Sequence, residues 1–416
     1  MPLLRRIFFY IFCAIYLVIC PLIILRMLGF IPNWRTHELV NTGIIYISSN
    51  PPGATVYIDN LQANETAPTI IRDLYPGHYT VRLELKDYQS WQNTVPIVGR
   101  KATVVENILL IPKQWTVKPL SNLSFENISP LGDGNTLLAW QEKTIKNFYL
   151  LRLNKEAATE DTAEADVSQV IPVFPPESIY NEAPIVRFFT VDKSPFFVLH
   201  ILAKDKPKYL WVDVRDKQTH IEDISDLLLQ EPLKLWWEPG DEKIIYAFFN
   251  DHVNRLDIKA KAIYPSIPSK DIPLKQEPGP NQMEGQGKMS DENNDMWLEF
   301  TSHKIGLWDK TEKTMQWIFE RGNNITQSFW ANHGSAILFH DGHQVFLMDR
   351  ENFDQTQLQK VTTVDQASSI YYSEKTGKLY YIEPVNHLLC AIQILRHKPT
   401  LPKTIANTLR LKKFER

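Results

Sequence analysis

Cysteine is nearly absent from this chain. Of 416 residues three are cysteine. Cys13 and Cys20 fall in an apolar stretch, so Cys390 alone is left for the folded part and no disulfide can form there. A chain of this length must then be held by buried apolar cores. Net charge is small as well, −3, which argues against a protein that as a whole binds nucleic acid. Several enzyme signatures are missing. There is no Gly-x-Ser-x-Gly elbow of a serine hydrolase, no Gly-Lys-Ser/Thr phosphate cradle and no Cys-x-x-Cys. Adjacent acids such as Glu222 and Asp223 read as solvated loop residues, not as a glycosidase pair. No catalytic residue, cofactor site or metal site is expected.

What is present is ordinary in bulk. Hydrophobic content is 44% and charged content 22%, as in globular proteins. The length predicts two folded units and a tail. Charge is unevenly spread: residues 396–416 carry +6, leaving −9 for the remainder. That basic tail reads as a solvated chain end.

Residues 7–25 carry no charge. As a helix they span about 28 Å, against roughly 30 Å for a bilayer's hydrocarbon core. Arg5 and Arg6 precede the run, and Arg26 and Arg35 follow it, which favours a cytoplasmic N-terminus. The run is too long for a signal peptide, and no small-x-small cleavage site follows. Leu17 to Cys20 resembles a lipoprotein site, but Ile19 is too bulky for the position before the cysteine. The expectation is an uncleaved transmembrane anchor over 1–31, in contact with lipid through residues 7–25. The protein would be a single-pass membrane protein, with its later domains extracytoplasmic.

Residues 43–112 predict a small β-sandwich. Tyr79, Val81, Leu83 and Leu85 alternate with Thr80, Arg82, Glu84 and Lys86, a period of two that buries one face. Val56 and Ile58 do the same around Tyr57. Pro51-Pro52-Gly53 and Pro76-Gly77 supply tight reversals. Later strands are expected near 93–98 and 102–110.

These residues resemble the PEGA domain, a small bacterial envelope β-domain named for a Pro-Glu-Gly-Ala turn. Here the turn is Pro51-Pro52-Gly53-Ala54, with proline in place of glutamate. Val56-Tyr57-Ile58-Asp59-Asn60 is similar to the family's second strand and its Asp-Gly turn. Thr66-Ala67-Pro68, Leu74 through Tyr79 and the stretch from Tyr88 to Trp91 follow in order. Asp87 stands where glycine is usual. Asn60 and Asp87 depart at turn positions that these residue types can occupy. The resemblance covers about a sixth of the chain. It implies an envelope location and no catalytic residues.

A repeat governs residues 115–395. A large apolar residue is followed seven positions later by a strand: Phe189 by Phe196, Trp237 by Ile244, Met289 by Met296, Trp330 by Ile337, Tyr372 by Leu379. Ile128, with Gly132 to Asn135 and Leu137 to Trp140, is a looser copy. An acidic insertion near 155–167 lengthens that copy. A further strand follows in each unit and often ends in aspartate, at Asp213, Asp257, Asp309 and Asp349. Asp341-Gly342 is a two-residue hairpin signal. Units of 40–50 residues fit β-propeller blades. Six blades are expected, with a seventh built from both ends as a further option. The polar tract 275–294 is expected to be a mobile loop, and Met289 inside it is the weakest anchor.

Two side-chain groups remain. His333, His340 and His343 cluster in one unit, but they lack the further ligands a metal needs and read as polar hairpin residues. Trp236, Trp237 and Trp330 could stack on a carbohydrate, although tryptophan at a repeated position more often packs a core.

The fold expected is therefore all-β: a transmembrane helix, a PEGA-like sandwich with Pro51, Pro52, Gly53, Ala54, Asp59, Pro76, Gly77 and Tyr88 as its landmarks, and a propeller of about six blades. The function expected is non-enzymatic binding of an envelope protein or other ligand. The alternatives are a cell-wall glycan-binding module and an unrecognised envelope hydrolase.

Overall fold

The computed structural model describes residues 2–27, 30–33, 38–131, 136–142, 144–153, 167–174, 180, 182–190, 195–204, 206–215, 219–238, 241–249, 252–264, 289–290, 296–309, 311–320, 324–332, 334–350, 358–365 and 368–395. Gly132 to Asn135, most of the acidic insertion, His333 and the basic tail lie outside them. Residues 115–394 form one compact unit and the remainder of the chain another.

The first unit opens with a helix, Pro2–Met27, that contains Pro21. The expectation of a transmembrane anchor is overturned here. No helix among the described residues is long and apolar enough to cross a membrane. Arg5, Arg6 and Arg26 lie within this helix, so its uncharged stretch falls just short of the roughly 20 residues a span calls for.

Residues 43–109 make two facing sheets. One has three strands, in the order Thr69–Leu74, Gly43–Asn50, Ala102–Leu109. The other has four, in the order Leu61–Thr66, Thr55–Ile58, Gly77–Glu84, Trp91–Ile97. Gly43–Asn50 runs parallel to Ala102–Leu109, and the other pairings are antiparallel. Ile45, Ile47, Val56, Val81 and Leu83 fill the space between the sheets. Val81 and Leu83 are buried as the alternation predicts. Tyr79 and Leu85 are only partly buried, at the margin of the same core.

Residues 115–394 form six four-stranded antiparallel sheets. Blade 1 consists of Asn127–Pro130, Thr136–Trp140, Phe148–Leu153 and Val167–Pro172. Blade 2 consists of Ile185–Thr190, Phe196–Ala203, Lys206–Asp213 and His220–Asp223. Blade 3 consists of Lys234–Glu238, Asp241–Phe248, Val253–Asp257 and Ala262–Tyr264. Blade 4 consists of Met289–Ser290, Met296–Phe300, Lys304–Asp309 and Thr314–Glu320. Blade 5 consists of Gln327–Ala331, Ala336–His340, Gln344–Asp349 and Gln359–Thr363. Blade 6 takes Tyr371–Ser373, Lys378–Ile382 and Leu388–Gln393, and its fourth strand is Val117–Ser124, from the start of the unit. Both ends thus build the sixth blade, not a seventh. Within the tract 275–294, Met289 and Ser290 pair with Leu298 and Trp297 as a strand, so that part is not a loop.

The repeat has a direct cause. Each anchor sits on a first strand, opposite the second strand of its own blade: Phe189 faces Val198, Trp237 faces Ile245, Trp330 faces Ile337. Second strands are buried on both faces, as Phe196–Ala203 shows over its first six residues. Such strands read as unbroken apolar runs. Phe197, Leu199 and Ile201 pack against Trp140, Phe148 and Leu150 of blade 1. Val198 and Trp211 pack against Leu235 and Trp237 of blade 3. Blades 4 and 5 share a core, as do blades 6 and 1. Ile370 donates its backbone N–H to Gln327 Oε1 at 2.7 Å, joining blades 5 and 6. The recurring aspartates act as turn caps: Asp257 Oδ1 accepts from Ala260 N–H, and Asp309 Oδ1 from Thr311 and Glu312 N–H.

Candidate functional site

The landmarks of the small unit are placed by turn geometry. The Asn50–Pro51 peptide is cis, and Gly53 has φ +94° with nothing near the position a Cβ would take. That conformation favours glycine. Gly53 N–H donates to Ala67 O at 2.7 Å, and Ala67 N–H to Ala54 O at 2.8 Å, so Pro51-Pro52-Gly53-Ala54 is clamped onto residue 67. Ala54 is fully buried. Asp59 and Asn60 have φ 47° and 68°, and Asp87 has φ 67°. Asp59 Oδ1 accepts from Thr80 N–H at 2.8 Å, fixing the hairpin tip to the next strand. Pro76 precedes Gly77, which opens its strand without a positive φ. Tyr88 is buried and bridges to Pro112. These residues shape the domain, and no two of them converge on a shared ligand.

The second unit offers a cavity. Four antiparallel strands return the chain to the face where the blade began, so every first strand starts on one face, here called the leading face. The hairpins between second and third strands lie there too. At this face, between blades 1 and 2 and beside the loop entering blade 6, lies a cavity of about 220 Å³. It is lined by Trp140, Phe148 and Phe188, by Ile128, Ile185 and Val186, and by the polar groups of Asn127, Ser129 and Ser369. The rings brace one another: Trp140 stands 5.5 Å from Phe188, edge to face, and 6.0 Å from Phe148. Asn127 Oδ1 accepts from Ile128 N–H at 2.9 Å and from Ser369 N–H at 2.7 Å, a contact that ties blade 1 to the entry of blade 6. No lining side chain is an acid or base that titrates near neutrality. The site is suited to holding an apolar or aromatic group while hydroxyls and an amide set its orientation. Ile128 was visible in the sequence as an anchor. Trp140 was visible as the end of that copy's strand, but Ser369 was not, because it meets residues 127–129 only when the ring closes.

The remaining sequence candidates disperse. Trp237 and Trp330 are buried in cores, and Trp236 is half-buried under the Lys234 ammonium. His340 is fully buried with Nδ1 2.6 Å from Thr326 Oγ1, whereas His343 is exposed. Burial pushes the His340 imidazole down to about 4, against the opposing pull of Asp341. Among the described residues no group of three His, Cys, Asp or Glu could hold a metal. Glu222 pairs with Lys243 at 3.3 Å and Asp223 with Lys208 at 3.0 Å. Burial would raise the Asp223 carboxyl, but Ser225 and Lys208 hold it below its ordinary value.

Missed in the sequence is His200, on blade 2 near the leading face. It is buried against Tyr209 with ring centroids 4.7 Å apart, and Glu231 Oε1 lies 3.6 Å from its Nδ1. Burial lowers its pKa, although Glu231 acts in the other direction. Burial, then Glu231, pushes Tyr209 up to about 12.

Residues 42–110 match the PEGA domain family. No curated protein matches the chain. Among solved structures, it is similar to the WD40 domain of Pan2 from Neurospora crassa at 9% identity and a TM-score of 0.41. That likeness covers 68% of this chain and 98% of the other. It is also similar to the WD40 repeats of RRP9, at 9% identity and a TM-score of 0.36, covering 67% and 99%. A third likeness is the β-propeller domain of Cps50 (Swd1) from Myceliophteria thermophila, at 9% and 0.34, covering 67% and 99%. The propeller assignment rests on the strand pairing within the chain.

Proposed function

We propose that this is a non-enzymatic binding protein whose second unit grips a partner at the leading face. The observation that carries the reading is the aromatic cavity between blades 1 and 2. It offers a braced apolar wall and oriented polar groups, and none of its lining groups is suited to proton transfer. A protein partner is favoured over a glycan, because the wall encloses a small volume and presents no open aromatic platform for a sugar ring. The PEGA match supports an envelope setting for the protein. Contact with lipid through residues 7–25 belongs to the same proposal. It is supported by the exposure of Phe8, Phe9, Tyr10 and Phe12.

The test is competitive capture on the purified chain, comparing a membrane-protein lysate with purified wall glycan. Val186→Trp, at a half-exposed lining position, fills the cavity. Specific protein retention should disappear in that variant while its melting temperature holds. Retention of glycan instead, or retention unchanged by Val186→Trp, would sink the reading. Co-flotation with lipid vesicles, with and without residues 1–27, checks the lipid contact.

A further inference from the structure

The wall of the leading-face cavity carries a chemical selectivity. An apolar cavity of roughly 150 Å³ admits one benzene ring. This one, at about 220 Å³, has room for a ring with a short substituent. A β-bulge between Ile185 and Arg187 shapes one side of it. Bulges re-aim the side chains they carry, and here Ile185 and Val186 both line the cavity although they are adjacent in the chain.

Charge is kept out of this wall. Arg187 stands between Val186 and Phe188, yet its guanidinium is turned elsewhere. It lies 4.8 Å from the Phe189 ring centroid, and Nη2 donates to Leu233 O at 3.2 Å. The residues that line the cavity are all uncharged. A charged group entering would lose water and gain no counter-ion.

The polar part of the wall has a definite sense. Asn127 Oδ1 accepts two backbone N–H groups, from Ile128 at 2.9 Å and from Ser369 at 2.7 Å. An amide oxygen has two lone pairs, so this one is saturated. The other polar atom of that side chain, Nδ2, only donates. The Ser129 and Ser369 hydroxyls each donate or accept. Donors therefore outweigh acceptors, and the site calls for an occupant that brings a neutral oxygen acceptor.

We propose that the cavity takes the phenol of a tyrosine on the partner protein, its ring against Trp140 and Phe188 and its hydroxyl toward Asn127, Ser129 and Ser369. The proposal rests on the binding reading of the cavity and adds the side chain that anchors the partner. Phenylalanine would fill the same wall but strip water from its polar groups without replacing it. Tryptophan brings an N–H donor and no acceptor. Phosphotyrosine brings charge that nothing in the wall neutralises.

The experiment titrates the purified full-length chain with the N-acetyl amides of tyrosine, phenylalanine, tryptophan and phosphotyrosine, and with p-cresol as a free phenol. Saturation-transfer NMR reads the affinities. The tyrosine amide should bind about tenfold more tightly than the phenylalanine amide, and the phosphotyrosine amide should give no saturable signal. Ser129→Ala with Ser369→Ala should bring tyrosine down to phenylalanine, and Val186→Trp should abolish both. An unchanged melting temperature confirms that each variant folds. Phenylalanine, tryptophan or phosphotyrosine bound as tightly as tyrosine, with all lost in Val186→Trp, would overturn the phenol and leave the cavity reading intact. Binding of p-cresol without the tyrosine amide would overturn the partner protein as its source. Binding indifferent to Val186→Trp, or no binding at all, would overturn both the phenol and the cavity reading.

Discussion

The two units reach a stable β-fold by opposite means. The small sandwich is specified by its turns. Gly53, Asp59, Asn60, Asp73, Asp87, Arg100 and Asn107 all have positive φ within residues 43–109, so a left-handed residue stands at nearly every change of direction. The propeller has eight such residues among its described residues, spread over a far longer chain, and is specified by packing between sheets: each second strand is greasy on both faces because a blade lies on either side. Turn-written folds should respond to backbone chemistry and little to pH. Packing-written folds should respond to volume and to the protonation of whatever polar group is caught between sheets.

The largest test of that contrast is Trp211→Ala. Trp211 is 1% exposed, packs 6.0 Å from Phe196, and carries the Lys243 ammonium 3.4 Å above its ring. Truncation should cost about 3–5 kcal/mol. Scanning calorimetry should show the propeller transition falling and the sandwich transition staying in place. A common shift of both would show that the units unfold as one and would break the comparison.

Acid sharpens it next. In the folded state the His340 imidazole is held at about 4, below its ordinary 6.5. As pH falls through 6.5 the unfolded chain takes up a proton that the folded blade refuses. The stability contribution is whole above about 6.5 and is lost progressively as pH falls toward about 4, by roughly 3 kcal/mol at most. His340→Leu should therefore reduce the acid sensitivity of the propeller. His200, also lowered by burial, keeps part of it. An acid slope identical in wild type and variant would show that His340 is not the group that titrates.

Smallest is Gly53→Ala. A Cβ there meets no atom within 4 Å, so only the φ of +94° penalises it, at about 1–2 kcal/mol. The sandwich midpoint should drop by that much and the propeller's should not move. Loss of no stability would mean the turn relaxes to another conformation.

This division also explains what could be read in advance. The Pro51-Pro52-Gly53-Ala54 turn and the Asp59-Asn60 tip were legible because a turn is written in adjacent residues. The blade anchors were legible because Phe189, Trp237 and Trp330 repeat one local environment. The fourth strand of blade 6 was not, since Val117–Ser124 has no partner until Leu388–Gln393 arrives. The cavity was invisible for the same reason: Asn127 and Ser369 become neighbours only when the ring closes. The transmembrane reading failed on a different count. It took the arginines as flanks that orient a span, whereas they lie inside the helix Pro2–Met27, and no helix among the described residues is long and apolar enough to cross a membrane.

The pairing that shuts the ring has a mechanical meaning. Val117 lies opposite Ile392 and Pro119 opposite Cys390, so the two ends of this unit enter and leave along the same edge of one blade. Tension drawing those ends apart loads the hydrogen bonds between them in succession, as in a zip, and not all together. The wheel thus has a single seam, and traction on its termini finds that seam before it reaches any other blade.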